Sequence, residues 1–418
     1  MRFSTVLIGL AGMVASVVAM DGDKQDLGTV LSQYKTLTNF TSLIKKYPEI
    51  LLELPSYDGV TIVAPNDNAF QQIPFTSLKD IWDPKNKDVT VPLIQYHILQ
   101  GTVNTQQLEA GPTYIRPTLM TDPKFTNVTS GQNILIAKQS DQIVFITGVG
   151  NRVILVDNDI PFQGGLIHIV DNLLTPPRGL RETTMTFQVD SFLGGLFETH
   201  LMPKLADREN ITVFAPSDRS LRYVGGSLDK LSAEELAEVM GYHIVPNQIM
   251  ASSALTNNTE LSTLSKDASG QPKIITVHEF SGGLYVNSAQ IQQADLLLAN
   301  GIMHVISGPL NPDDAVELPV PTVQSQLQVF PVSKLEEVPF TSAIPCTSSC
   351  PVTTTSETTP TATPTLAPTP KHKASASATT SSTFTSRSST GMAAARATVH
   401  IAGAAMGIVG LGAGMAML

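Results

Sequence analysis

Cysteine and charge are both scarce in this chain. Two cysteines in 418 residues exclude a scaffold built on disulfides, and both lie outside the segments whose pattern indicates folding. Charged residues make up 15% of the chain, and the net charge is −10. Neutralising phosphates requires clustered Lys and Arg, and no such cluster is visible, so we expect no nucleic-acid partner. The folded part must therefore hold together by apolar packing.

The first residues are typical of a secretory signal. Arg2 precedes an apolar run from Val6 to Val18, and small residues stand just before the polar segment that begins at Asp21. The run is short for a bilayer span, which needs about 20 residues. We therefore predict a signal peptide at residues 1–19, with an uncleaved membrane anchor as the alternative.

The last residues resemble a lipid-anchor signal. Residues 401–418 are apolar and carry no charge, and a spacer separates them from Ser388, Ser389 and Gly391. Small residues, a spacer and an apolar tail are the features of a glycosylphosphatidylinositol (GPI) attachment signal. We predict that residues 391–418 are removed and that the anchor is attached at one of these three residues. A transmembrane span is the alternative.

A stalk and a linker precede that signal. Residues 351–390 consist almost entirely of Thr, Ser, Pro and Ala, which predicts a disordered, extended spacer with O-linked glycans. Residues 313–350 are expected to be a linker. Cys346 and Cys350 lie close enough for a disulfide in a small loop, while pairing between two chains stays open. No other Cys or His stands at ligand spacing, which disfavours a metal site.

Four sequons for N-glycosylation agree with passage through the secretory pathway. They begin at Asn39, Asn127, Asn210 and Asn257.

The residues between the two ends contain the same three motifs twice, in the same order. The pairs are Thr61–Asp67 and Thr212–Asp218, Tyr96-His97-Ile98 and Tyr242-His243-Ile244, and Gly165–Val170 and Gly301–Ile306. The offsets are 151, 146 and 136 residues, which is the size of a domain. The chain therefore contains two copies of one domain and is not a solenoid.

The first motif predicts a strand and a turn. TIVAP and TVFAP are short apolar runs that end at Pro, so each predicts a buried strand. Asp67 and Asp218 are then expected to cap the helix that follows. Ahead of each strand, apolar residues at helical spacing predict a buried helix face. These residues are Phe40, Leu43, Ile44 and Tyr47 in the first copy, and Val189, Phe192, Leu193, Leu196 and Phe197 in the second.

The second motif follows a predicted helix. Ser232 and Glu235 have the spacing of a capping box, which predicts a helix that runs toward Tyr242. In the first copy, residues 91–99 take that place, with Pro92 near the start. Further strands are predicted at residues 143–146, 153–156 and 274–277. Because helices cluster in the first half of each copy and strands in the second, we predict an α+β fold.

Taken together, the three motifs resemble the fasciclin-type domain. The resemblance covers residues 24–176 and 183–312. It implies two tandem domains, each a wedge of β-sheet flanked by helices and generally without enzymatic activity. In animal relatives the matching region has been tied to integrin binding, so the resemblance suggests Tyr96, His97, Tyr242 and His243 as binding residues. The alternative is that each Tyr-His is an ordinary core pair at a helix end.

The layout of the whole chain also resembles GPI-anchored fungal surface proteins and plant fasciclin-like arabinogalactan proteins. It implies an adhesion or matrix-binding glycoprotein at the cell wall or the outer face of the plasma membrane. The expected partners are wall or matrix glycans or proteins, or like molecules on another cell, and the membrane itself through the lipid anchor. The alternative is a structural wall glycoprotein, or a vacuolar-membrane protein that acts in fusion or autophagy.

No enzyme class is supported by a motif. HExxH, GxSxG and phosphate-loop motifs are missing from the sequence. His97, His168, His243 and His304 recur in pairs, but a catalytic or metal site would need them to converge with carboxylates. We expect these histidines to be structural, and we expect no enzymatic activity, cofactor or metal.

Overall fold

A computed structural model describes residues 24–51, 59–313, 318–320, 323 and 326–345. The predicted signal peptide, the stalk, the anchor signal and the two cysteines lie outside these residues. No helix in the described ranges has the length and apolar character needed to cross a bilayer.

Each copy of the repeat forms a domain in which short helices precede most of the strands. The helices are α1 Leu27–Gln33, α2 Thr38–Lys46, α3 Asp67–Gln72, α4 Lys87–Gln95, α5 Leu180–Thr186, α6 Asp190–Glu198, α7 Met202–Ala206, α8 Asp218–Leu228 and α9 Ala233–Tyr242. The strands of the first domain are β1 Val60–Pro65, β2 Ile98–Gln100, β3 Thr113–Pro117, β4 Asn133–Gln139, β5 Gln142–Ile146, β6 Arg152–Phe162 and β7 Gly165–Val170. Those of the second are β8 Ile211–Pro216, β9 Ile244–Val245, β10 Glu260–Lys266, β11 Pro272–Phe280, β12 Gly283–Val286, β13 Ala289–Leu298 and β14 Gly301–Ile306.

The two sheets have the same strand order. It is β2-β1-β7-β6-β5-β4-β3 in the first domain and β9-β8-β14-β13-β12-β11-β10 in the second. The first-motif strands β1 and β8 run parallel to the third-motif strands β7 and β14. The remaining strand pairs of the described residues are antiparallel. The predicted α+β fold is confirmed.

The glycine that opens the third motif allows the parallel strands to approach closely. A Cβ on Gly165 would lie 2.0 Å from the carbonyl oxygen of Val60, and one on Gly301 would lie 1.9 Å from that of Ile211. Any side chain at these positions would push the two strands apart.

The predicted core strands and helix faces are confirmed. All residues of β1 and β8 are buried. The predicted apolar faces of α2 and α6 are buried as well, apart from Phe197, which packs partly buried against the second core. The capping box of α9 is present, with the Ser232 hydroxyl accepting from the Glu235 N–H and the Glu235 carboxylate accepting from the Ser232 N–H.

Two local predictions are wrong: the start of helix α4, and the capping role of Asp67 and Asp218. Helix α4 begins at Lys87 and not near Val91, because the Asn86 side chain caps it by accepting the Asp88 N–H at 3.0 Å. Pro92 consequently lies inside the helix.

The motif carboxylates do not cap the helices that follow them, because Asn66 and Ser217 do so. Asp67 instead accepts backbone N–H groups of Thr38 and Asn39 at the start of α2, at 3.2 and 2.8 Å. Asp218 accepts the Ser191 N–H at the start of α6, at 2.8 Å. Each carboxylate therefore joins its strand-turn segment to an earlier helix, where a negative charge is favourable.

Residues 326–345, part of the predicted linker, form a strap that lies on the second domain. The strap bonds to α8 through the backbone: Ser333 N–H donates to Tyr223 O at 3.0 Å, and Gly226 N–H donates to Ser333 O at 2.9 Å. Phe330 is buried in the core of the second domain, and Phe340 and Ile344 pack partly buried against it. The strap thus packs against the second domain as an additional layer.

Candidate functional site

The four predicted binding residues lie in the interior. Tyr96, His97 and His243 are 0% exposed, and Tyr242 is 3% exposed. The Tyr96 hydroxyl donates to Asn133 O at 3.0 Å, and the Tyr242 hydroxyl donates to Ile274 O at 2.8 Å. The structure therefore favours a core pair at the helix end over a contact surface, because a ligand could reach these side chains only if the domain opened.

His97 and His243 join the end of a helix to the segment that leaves the parallel strand. Nδ1 of His97 donates to Leu93 O at 2.7 Å, and its Nε2 accepts the Leu174 N–H at 2.9 Å. His243 makes the same two bonds, to Val239 O at 2.8 Å and from Leu310 N–H at 2.9 Å. Because Nε2 must accept, both rings are neutral. Burial lowers the pKa of each histidine from 6.5 to about 4.

His168 and His304 use the opposite tautomer. Nε2 of His168 donates to Val103 O at 2.9 Å, while Nδ1 accepts the Asp159 N–H at 3.2 Å. Nε2 of His304 donates to Met250 O at 2.8 Å, and its Nδ1 accepts the Asp295 N–H at 3.3 Å. Burial lowers the pKa of both histidines. Their ring nitrogens are used by the backbone and are not available for proton transfer.

Sequence reasoning missed two further pairs of anchoring residues. The Thr61 hydroxyl donates to Gly101 O and accepts the Val103 N–H, and the Thr212 hydroxyl makes the matching bonds with Gln248 and Met250.

The second pair consists of Asp159 and Asp295, which cap short 3-10 turns. Their carboxylates accept the N–H groups of Thr105 at 3.0 Å and Ser252 at 2.7 Å. Each aspartate stands nine residues before the third-motif histidine of its copy. Alignment of the two copies on that histidine would have revealed the pair.

No metal-binding group is found in the described part of the chain. There, no three His, Cys, Asp or Glu side chains lie close enough together to hold an ion.

A groove of about 520 Å³ crosses the surface of the second domain. We call it the polar groove and define it by the side chains of Arg219, Tyr223, Tyr285, Gln290, Gln292 and Gln328. Arg219 and Tyr223 come from α8, Tyr285 from β12, the next two glutamines from β13 and Gln328 from the strap.

The lining of the polar groove is rich in amides and hydroxyls. Its described lining residues include no carboxylate, and Arg219 supplies a positive charge. Tyr223 is 42% exposed. Within the described part of the chain, the six defining side chains make no hydrogen bond to another protein group. Amides, phenols and a guanidinium can donate to and accept from a hydroxyl-rich ligand, while the tyrosine rings offer it an apolar face.

The four sequons divide into two groups. Asn39 and Asn257 are exposed, whereas Asn127 and Asn210 are half-buried where the two domains touch.

Comparison with known proteins supports the repeat. The fasciclin domain family matches residues 35–176 and 188–312, which together make up well over half of the chain. A fasciclin-like arabinogalactan protein of Arthroderma benhamiae is 27% identical over 321 residues, which cover 76% of this chain and 74% of that protein. A fasciclin-like arabinogalactan protein of Phaeosphaeria nodorum is 25% identical, over 69% of this chain and 88% of that protein.

Similarity extends to animal proteins. The transforming growth factor-beta-induced protein ig-h3 of Oryctolagus cuniculus is 27% identical over 35% of this chain and 21% of that protein. Among solved structures, a FAS1 domain pair from the insect cell adhesion molecule fasciclin I is 19% identical. Its match covers 66% of this chain and 96% of that chain, with a TM-score of 0.31. By the two family matches and the duplicated motifs, this chain belongs to the fasciclin domain family.

Proposed function

We propose that the protein is a cell-surface adhesion or wall-binding glycoprotein that binds a hydroxyl-rich glycan in the polar groove. The observation that carries the proposal is the groove's lining of amides, phenols and a guanidinium, which have no hydrogen-bond partner among the described residues. Support also comes from relatives named fasciclin-like arabinogalactan proteins, whose name suggests a location at the surface or wall. A secretory signal, an O-glycosylated stalk and a lipid anchor would display the domains there.

We further propose that the protein acts by binding and not by catalysis. The polar residues of the repeated motifs are engaged in hydrogen bonds with the backbone. The four motif histidines have both ring nitrogens engaged. General acid-base chemistry requires a titratable group within reach of a substrate. These four rings are buried and therefore out of a substrate's reach.

The test is saturation binding of the full-length glycosylated protein to isolated wall polysaccharide, before and after enzymatic deglycosylation of the protein. We expect saturable binding that survives deglycosylation, and a Kd about tenfold higher for Tyr223→Ala or Gln292→Ala, in line with loss of one aromatic or amide contact to the glycan. Phe75→Ala removes an exposed aromatic residue from the first domain and serves as the matched control. Equal affinity of all four proteins, each with a normal melting curve, would exclude the polar groove as the binding site.

A further inference from the structure

The two half-buried sequons meet at the contact between the domains. The turn between β13 and β14, at Ala299 and Asn300, lies against residues 126–132 of the first domain. The carbonyl oxygen of Ala299 accepts the Asn127 N–H at 2.8 Å, the Thr126 hydroxyl at 3.0 Å and the Gln132 amide at 3.2 Å. Beside this turn, Leu135 of β4 packs with Leu297 and Ile302 of the second domain in one apolar cluster.

Asn210 and Thr129 complete this contact with a pair of hydrogen bonds. The Thr129 backbone N–H donates to Oδ1 of Asn210 at 3.1 Å, and Nδ2 of Asn210 donates to the Thr129 hydroxyl at 2.8 Å. The backbone N–H can only donate, so it identifies the amide oxygen, and Nδ2 must then face the hydroxyl. Thr129 is the hydroxyl residue of the Asn127 sequon, so this pair joins the two sequons.

Asn210 is held in place by the same turn that the first domain contacts. The Asn300 side chain donates to Leu205 O at 2.7 Å and Arg208 O at 2.8 Å, and Asn300 O accepts the Ile211 N–H at 2.9 Å. Asn210 itself has φ +52°, a left-handed conformation that asparagine tolerates better than most residues. The segment that carries Asn210 and the turn that carries Ala299 are thus tied together, and both are bonded to the first domain.

An N-linked glycan on Asn210 would replace the hydrogen that Thr129 receives. In the observed pair, Oδ1 and Nδ2 use the same edge of the amide, so the donated hydrogen is the one on the oxygen's side. Glycosylation makes the amide secondary, and a secondary amide in its trans form places the new substituent on that side. The first sugar would therefore stand where Thr129 stands.

The rest of this sequon is closed to a transferase once the domain has folded. Ile211 and Thr212 are 0% exposed in β8, and the Thr212 hydroxyl is bonded to Gln248 and Met250. Asn257 differs, because its side chain is exposed and only its Oδ1 takes part in a hydrogen bond within the described residues, accepting the Glu279 N–H at 3.1 Å.

We propose that Asn210 stays unglycosylated in the native protein, and that its free amide and Thr129 form a clasp that holds the second domain against the first. A chain that carries a glycan at Asn210 cannot close this clasp.

The first experiment is mass spectrometry of peptides from the secreted full-length protein after enzymatic deglycosylation in H₂¹⁸O, which labels each formerly glycosylated asparagine. We expect the label at Asn257 and none at Asn210. Substantial labelling of Asn210 in folded, monomeric protein would overturn the proposal.

The second experiment tests the clasp through hydrogen–deuterium exchange of the Thr129 amide. Asn210→Gly removes the side chain without strain at this positive φ and should speed exchange about tenfold or more. Asn210→Asp also removes the sequon, but its carboxylate can accept from both Thr129 groups, so exchange should stay near that of the native protein. Equal exchange in the native protein and Asn210→Gly would show that the pair does not hold the domains.

Discussion

Buried histidines make the same backbone connections in both domains. His97 and His243 each join a helix end to a segment more than sixty residues further along the chain. His168 and His304 join the parallel strand to the loop that follows the second motif. Neutral imidazole suits this role because it offers one donor and one acceptor on opposite sides of a rigid ring. The motif histidines thus recur in both copies because the same ring nitrogens make the same backbone bonds in each domain.

His243→Leu should destabilise the second domain by about 2 to 3 kcal/mol, because the buried Leu310 N–H loses its acceptor while the apolar volume is largely kept. Urea unfolding followed by circular dichroism measures the loss. His200→Asn is the matched control, since His200 is exposed and has a positive φ that asparagine tolerates, and it should change stability by less than about 0.5 kcal/mol. An unchanged midpoint for His243→Leu would contradict the proposed anchoring role.

At the scale of elements, the strap adds a packed layer to the second domain. It crosses α6 and α8 at glycines, and Leu335 N–H donates to Arg222 O at 3.0 Å in addition to the bonds around Ser333. A Cβ on Gly194 of α6 would lie 2.1 Å from the carbonyl oxygen of Phe340. The close approach of strap and helix therefore depends on the absence of a side chain at this position.

Gly194→Ala should release the strap, although alanine is a better helix former than glycine by about 1 kcal/mol. Limited proteolysis should then cut within residues 326–345 faster than in the native protein, and the Tm should fall. Gly308→Ala provides the control, because nothing lies within 4 Å of a Cβ built at that position. A higher Tm for Gly194→Ala with unchanged proteolysis would mean that helix propensity outweighs the contact.

At the scale of the whole molecule, the buried histidines make stability depend on pH. The pKa of His97 and His243 is lowered by burial to about 4, while an unfolded chain has a value near 6.5. Between these two values the unfolded state binds more protons, so stability is full above about pH 6.5 and falls as the pH drops toward 4. The difference in pKa between the folded and unfolded states corresponds to a loss of about 3 kcal/mol in the free energy of unfolding for each of these histidines.

Urea unfolding at pH 7, 5.5 and 4 should show this loss in both domains. The double variant His97→Gln, His243→Gln should be less stable than the native protein at pH 7 and should lose less stability on acidification. A native protein whose unfolding midpoint is equal at pH 7 and pH 4 would show that these rings are not held neutral.

Local patterns determined much of the fold. The strands β1 and β8, the buried faces of α2 and α6, and the capping box of α9 each follow from a few neighbouring residues, whose periodicity and capping chemistry act over one or two turns or strands. The duplication supported these predictions, because the same motifs occur twice in the same order. The repeated motifs also allowed the family to be predicted.

Contacts between distant segments were decided only by the tertiary structure. Asp67 is a helix cap by its local sequence, but its carboxylate bonds to α2, 28 and 29 residues earlier. The burial of Tyr96, the docking of the strap, the polar groove and the Asn210–Thr129 pair likewise depend on segments separated along the chain. No local pattern encodes such pairings, because the free energy that selects them comes from burial and hydrogen bonding between elements after each has formed.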